Sequence, residues 1–298
     1  MSRRDFVIAL DADADALASL KAWHDERGWY GLACVTCDVT DATSVASAAH
    51  TAMANLKRPD EDSVVDSASL ERRMDHIHAI VHLAGVFGCG PLVEAATVND
   101  VLRCLQVNVM GTARVTQAFY PLLPQRKEDL INGCRSRVIV VGSEISFARL
   151  SVGLTAPYSI SKFAIEAYAS SLRQELAVTE AAAHVCTVNP GPILTPLSTV
   201  ATEQAAMAHV SRGSRWSHGL RALVRRAKLY TRLHAVEPAL AAEGIAELVH
   251  AVRPPRRMTI NYTLEMRLAA WAPQWLLDVV GCGEMREPDS RKVTIKDR

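Results

Sequence analysis

The first 27 residues contain no glycine, and no apolar run reaches the roughly 18 residues that a membrane-crossing helix needs. The second absence argues against a spanning helix. Phe6–Leu10 follows two arginines but is too short for a secretory leader core. An excess of charge is also lacking, since 33 basic side chains meet 32 acidic ones. Phosphate binding needs a broad positive field, so no nucleic-acid partner is expected. The seven cysteines follow no disulfide framework, and no clustered ligand set supports a metal-dependent hydrolase. That usage fits a reducing compartment, with the cytoplasm the default and mitochondrial or reticulum-associated sites open. Cys34 and Cys37 form a lone C-x-x-C in the apolar run 32–39. Three residues apart in a strand, they would point to opposite faces. Buried small side chains are the plain reading, with metal or redox duty the alternative.

What is present is an alternation of strand-like and helix-like stretches. The chain is 49% hydrophobic and 22% charged, enough to bury a full-sized core. Strands are expected at Phe6–Leu10, Leu32–Cys37, Ile77–Leu83, Arg137–Val141 and His184–Asn189. Helices are expected from about Ala14 to Arg27, from near Val45 after Asp41, over Asn99–Leu123 and over Ala156–Ala177. The polar stretch Lys57–Ser69 reads as a solvated insertion. Strands separated by helices imply right-handed crossovers and a parallel sheet. The runs are apolar on both faces, as buried parallel strands should be. The fold class expected is therefore α/β, a doubly wound Rossmann-like sheet between two helical layers. Ligands of such sheets bind beyond the carboxyl ends of the strands.

The strongest chemical pattern is Tyr158-Ser-Ile-Ser-Lys162, whose two terminal side chains share a helix face. A phenol with a pKa of about 10 is a poor proton donor at neutral pH. A nearby ammonium favours phenolate and is expected to lower that value. The pair could then trade a proton with an alcohol oxygen while a hydride moves. Ser143 follows the strand Arg137–Val141, fifteen residues before the tyrosine, where its hydroxyl can bind the reacting oxygen. Ser146 is a rival one turn further on. Asn108 lies inside a helix, either as a water anchor for a proton relay or as a satisfied helix asparagine.

In order along the chain stand Asp11, Asp38-Val39, His82-Leu-Ala-Gly85, Asn108, Ser143, Tyr158-x-x-x-Lys162 and Pro190-Gly-Pro-Ile-Leu-Thr195. With these pieces the chain resembles the short-chain dehydrogenase/reductase family over about residues 6–200, and more loosely to about 280. The resemblance implies Tyr158 as the acid/base, Lys162 on the nicotinamide ribose, Ser143 orienting substrate and Asn108 holding a relay water. It further implies cofactor contacts from Ala84 and Gly85 and from Pro190, Gly191 and Thr195, the last at the carboxamide. Asp38 and Val39 would flank the adenine. A carboxylate at Asp11 would accept from both adenosine-ribose hydroxyls and repel a 2′-phosphate, so NAD is expected over NADP. The aspartates at 11, 13 and 15 could instead cap the helix that follows.

The chain departs from the family at its start. The glycine-rich turn that cradles a pyrophosphate is lacking, and the spacing from Asp11 to Asp38 matches Phe6–Leu10 to the family's second strand. About 25–35 residues, the first β-α unit, are then expected to be missing. Two strands would lose a ladder partner and a dinucleotide would lose a helix N-terminus. His82 and Leu83 replace two usual asparagines, and His82 is expected to be structural, bonding across the sheet.

From Arg212 to Arg232 there are seven basic residues and no acidic one, with Trp216, Leu220, Leu223, Val224 and Leu229 at helical spacing. Such a helix covers a substrate pocket, touches a membrane surface, or is a solvated face. Residues Pro238–Gly283, with Tyr262, Trp271, Pro273 and Trp275, resemble the retinol, hydroxysteroid and 3-hydroxybutyrate dehydrogenase branch. One domain over 1–283 is expected, with 197–283 covering substrate and a polar tail over 284–298. The expected function is hydride transfer between NAD(P) and a lipophilic alcohol or ketone, in a homo-oligomer. The alternative is a truncated, inactive family member acting in binding or assembly.

Overall fold

The computed structural model describes residues 6–29, 31–56, 76–130, 134–148, 150–179, 183–273 and 276. The expected strands form, β4 (Arg137–Val141) with the expected bounds and the others shifted by a residue or two: β1 (Val7–Asp11), β2 (Leu32–Thr36), β3 (Ala79–His82) and β5 (His184–Pro190). A further strand, β6 (Arg257–Ile260), pairs with β5. It was not anticipated, because four residues behind two arginines make no apolar run. All pairings are parallel, as two-faced burial dictates.

The strands form two sheets, in keeping with the expectation that two strands lack a ladder partner. One has the order β1-β2, the other β3-β4-β5-β6. Among the described residues β1 pairs only with β2 and β3 only with β4. Helices hold the two sheets together. The helices of the first half are α1 (Ala14–Asp25), α2 (Ala42–Leu56), α3 (Ala96–Cys104) and α4 (Thr112–Phe119). Val45, Ala48 and Ala52 of α2 share one core with Phe119 of α4, with Val138 and Val140 of β4, and with Ile165 and Leu172. Each large apolar side chain buried there contributes roughly 1.5–3 kcal/mol. The loop after β2 comes so close that a Cβ at Gly111 would lie 2.7 Å from Val39 Cγ2.

The helix expected over 99–123 runs as α3, a π-helical turn (Leu105–Gly111), α4 and a 3₁₀ turn (Tyr120–Leu122). After β4 come α5 (Glu144–Phe147) and α6 (Ala156–Leu176). The last third forms α7 (Thr202–Ser211), α8 (Ser217–His234), α9 (Pro238–His250) and α10 (Leu264–Ala269). The basic helix is α8, and the middle of its stripe faces inward. Leu220 and Val224 are buried with Cys89, Leu154 and Ala206, while Trp216 at the cap and Leu229 stay exposed. Arg137, 1% exposed, donates from Nε to Leu248 O at 3.2 Å and from Nη2 to Ala251 O, capping α9 at the end of the sheet away from the site. Cys37 packs in the main core and Cys34 is half-buried, and burial raises both thiols. Among the described residues no helix is long and apolar enough to cross a membrane. The insertion at 57–69, Trp275, Gly283 and the tail 284–298 lie outside the described residues.

Candidate active site

Strand β4 delivers the chain to Gly142 and Ser143 at its carboxyl end. A Cβ at Gly142 would lie 2.1 Å from Asn189 Oδ1, so only glycine lets the turn close onto β5. The Ser143 N–H donates to that oxygen at 3.1 Å. Asn189 Nδ2 in turn donates to Glu166 Oε1 at 2.8 Å, and Glu166 pairs with Arg257 at 3.0 Å. Ser143 also caps α5, its hydroxyl accepting from the Ile145 N–H at 3.3 Å. The rival Ser146 spends its hydroxyl on Ser143 O at 2.9 Å. Of the two serines, Ser143 is the one that favours the Tyr158 phenolate.

Tyr158 stands in the first turn of α6, with its ring 5.1 Å from that of Phe87. Lys162, one turn on, is 6% exposed. Its ammonium lies 5.7 Å from the centre of the Tyr158 ring and donates to Val141 O at 2.9 Å. The phenol is not lowered as expected. Burial pushes Tyr158 up to about 12, against the pull of the Ser143 hydrogen bond. The same desolvation pushes Lys162 down to about 8. The protein alone therefore holds the phenol as a proton donor.

Asn108 occupies the π turn, a distortion common at functional sites. Its Oδ1 accepts from the Val86 N–H at 2.8 Å, and its Nδ2 donates to Val86 O at 3.0 Å and to Ser161 Oγ at 2.8 Å. The side chain thus pins the loop after β3 to α6. A Cβ at Gly85 in that loop would lie 3.5 Å from Asn108 Oδ1 and 3.9 Å from Lys162 Nζ. His82 bonds not across the sheet but to Thr116 Oγ1 of α4 at 3.0 Å, and burial lowers it to about 4, leaving it neutral.

The residues expected at a dinucleotide also sit beyond strand ends. Asp13 caps α1, which leaves Asp11 exposed with one oxygen accepting from the Asp13 N–H at 2.9 Å. Asp38 Oδ1 accepts from Thr40 N and Oγ1 at 2.8 and 2.7 Å, shaping the turn that presents Val39. Ala84 is exposed beside Gly85. Pro190 ends β5, and Gly191 approaches so closely that a Cβ there would lie 2.1 Å from Asn261 O. Thr195 opens the next turn, its carbonyl accepting from Ser198 Oγ at 3.0 Å. These groups fit the two riboses of a nicotinamide dinucleotide, while among the described residues no glycine-rich turn precedes α1 to cradle its pyrophosphate. Asp11 offers a carboxylate to a ribose diol. Lys162 offers a buried ammonium with one protein acceptor among the described residues.

A cavity of about 540 Å³ opens beside this row, walled by Val86, Phe87, Leu197, Val200 and Ala205 and edged by Asp100 and Arg103. Sequence reasoning missed Asn189 and Glu166 behind the serine, Ser161 behind Asn108, and the pair of buried Glu144 with half-buried Tyr230. Asn189 stands directly before Pro190-Gly191, and Glu144 is a carboxylate one residue after Ser143. Both signals were legible. Tyr230 sits within a basic helix and carries none.

The sequence profile of the short-chain dehydrogenases matches residues 2–206. Human retinol dehydrogenase 5 is 30% identical over 238 residues, 76% of this chain and 70% of that protein. Bovine mitochondrial D-beta-hydroxybutyrate dehydrogenase is 32% identical over 117 residues, 39% of this chain and 31% of that protein. Human 17-beta-hydroxysteroid dehydrogenase type 2 is 32% identical over 120 residues, 40% of this chain and 28% of that protein. The match thus spans about a third of the last two relatives. Among solved structures, a short-chain dehydrogenase/reductase from Burkholderia phymatum in complex with NAD superposes with a TM-score of 0.62 at 20% identity, over 96% of this chain and 89% of that one. A short-chain dehydrogenase from Streptomyces avermitilis gives 0.60 at 21% identity, over 94% and 86%. The fold, the row of residues beyond the strand ends and these matches agree, and the chain belongs to the short-chain dehydrogenase/reductase family of NAD(P)-dependent oxidoreductases.

Proposed function

We propose that this chain interconverts a lipophilic secondary alcohol and its ketone with NAD, using Tyr158 as acid/base. The observation that carries the reading is the convergence of the Ser143 hydroxyl, the Tyr158 phenol and the Lys162 ammonium at the carboxyl end of β4. The bound nicotinamide supplies or accepts the hydride. The protein supplies everything else. Ser143 donates a hydrogen bond to the substrate oxygen and holds it beside the phenol. As a ketone is reduced, its oxygen gains negative charge and takes the proton from Tyr158 Oη. A phenol held near 12 is protonated at neutral pH and suits this direction. Lys162, still charged below about 8, steadies the phenolate left behind and offers its remaining protons to the ribose. Asn108 keeps the loop at Val86 pinned, which fixes one wall of the cleft.

The apolar wall of the cavity supports a hydrocarbon body for the substrate. The exposed carboxylate of Asp11 supports NAD over its 2′-phosphorylated form. The test is turnover of NADH and NADPH with ketones of increasing apolar bulk. Faster turnover of bulky ketones, with NADH preferred, is expected. Absence of turnover with every ketone and both cofactors overturns the reading.

A further inference from the structure

The reaction above makes no use of the most deeply placed acid near the site. Glu144 follows Ser143 and is 6% exposed. Both of its oxygens lie 3.1 Å from Tyr230 Oη on α8. That hydroxyl also lies 3.1 Å from Thr263 Oγ1, the cap of α10. A Cβ at Gly191 would lie 3.0 Å from Glu144 Oε2. One carboxyl thus touches the serine turn, the Pro-Gly turn and the helix that covers them.

We propose that Glu144 is a positioning residue that latches α8 onto the catalytic turn, and that its neutral form holds the latch more firmly than its anion. The burial of the carboxyl supports this. A neutral carboxyl donates to Tyr230 Oη, which donates in turn to Thr263 Oγ1, and no charge is left buried. The anion keeps only the Tyr230 donor for two buried oxygens, and a buried charge with so few donors seeks water.

The surrounding groups favour the neutral form. From α8 the site is faced by Tyr230 and, behind it, His234, whose ring lies 4.9 Å from that of Tyr230. From the segment after β6 come Tyr262, Thr263 and Glu265, and from α6 comes Tyr158. The cation among them, His234 when protonated, lies 3.7 Å from Glu265. Burial and the Glu265 charge push the Glu144 carboxyl up to about 7, against the Tyr230 hydrogen bond. A second tie, Asn261 Nδ2 donating to Pro192 O at 2.8 Å and to His234 O at 2.7 Å, holds the end of α8, so losing the latch loosens the helix without releasing it.

The catalytic role of the turn rests on the function proposed above, whereas the latch is read without cofactor or substrate. The experiment is hydrogen–deuterium exchange of residues 217–234 in the full chain, corrected for intrinsic rates, at pH 6 and pH 8. Glu144→Ala and Tyr230→Phe are expected to speed exchange at pH 6 by about tenfold, while Glu144→Gln stays as slow as wild type. Wild type is expected to lose protection between pH 6 and pH 8, and Glu144→Gln to keep it. Wild-type exchange in both Glu144→Ala and Tyr230→Phe would overturn the proposal. So would a pH-dependent loss that survives in Glu144→Gln. Should Glu144→Ala not fold, Tyr230→Phe and Glu144→Gln carry the test.

Discussion

Replacing Lys162 by methionine should make the folded protein more stable at neutral pH. The lysine falls from an ordinary 10.5 to about 8 because its ammonium is buried. That gap corresponds to about 3 kcal/mol of destabilisation wherever both states are protonated, at pH 8 and below. Methionine removes this cost but leaves Val141 O without its donor, which returns about 1–2 kcal/mol. The net expectation at pH 7 is a gain of about 1–2 kcal/mol. The sign reverses in alkali. Between pH 8 and 10.5 the native state binds fewer protons than the unfolded chain, so wild-type stability rises with pH there. Near pH 10.5 the wild type should therefore equal or exceed the variant. Urea unfolding of both proteins at pH 7 and pH 10.5, compared as a difference, measures this. A variant less stable at pH 7, or a difference that ignores pH, would refute the claim that the site stores unfavourable burial of charge.

The rate of ketone reduction, as kcat/KM, should fall as pH rises through about 8, where Lys162 loses the charge that steadies the phenolate; a profile flat from pH 7 to 9 would speak against that role. Gly142→Ala should lower kcat by about a hundredfold or more with little change in cofactor affinity, because its Cβ would strike Asn189 Oδ1 and displace Ser143; equal losses of both would indicate general unfolding instead. Thr116→Val should cost about 1–3 kcal/mol in thermal or urea unfolding by stranding His82 Nε2; a neutral result would mean that the ring finds another partner.

The sequence was most informative where chemistry and periodicity coincide. Tyr158 and Lys162 share a helix face by spacing alone, and Ser143 follows a strand whose apolar run has no other reading. The ammonium of Lys162 lies 5.7 Å from the centre of the Tyr158 ring. The aspartates after β1 divide as the capping rule allows, with Asp13 at the helix and Asp11 left over. Other features depended on contacts between distant segments. Strand β6 is too short and too polar at its start to register. The direction of the Tyr158 shift also escaped, because pairing was weighed and burial was not. Desolvation depends on Phe87 and on the surrounding shell, which no local pattern specifies. Glu144 was visible as a residue but not as a buried one, since its partner lies 86 positions away.

The most direct test is Tyr158→Phe, which removes one oxygen and keeps the ring against Phe87. With NADH and a ketone that the wild type reduces, single-turnover reduction should fall by about a thousandfold or more, while NADH binding and the unfolding midpoint stay unchanged. A variant that reduces the ketone within about threefold of wild type would contradict the assignment of the proton to residue 158.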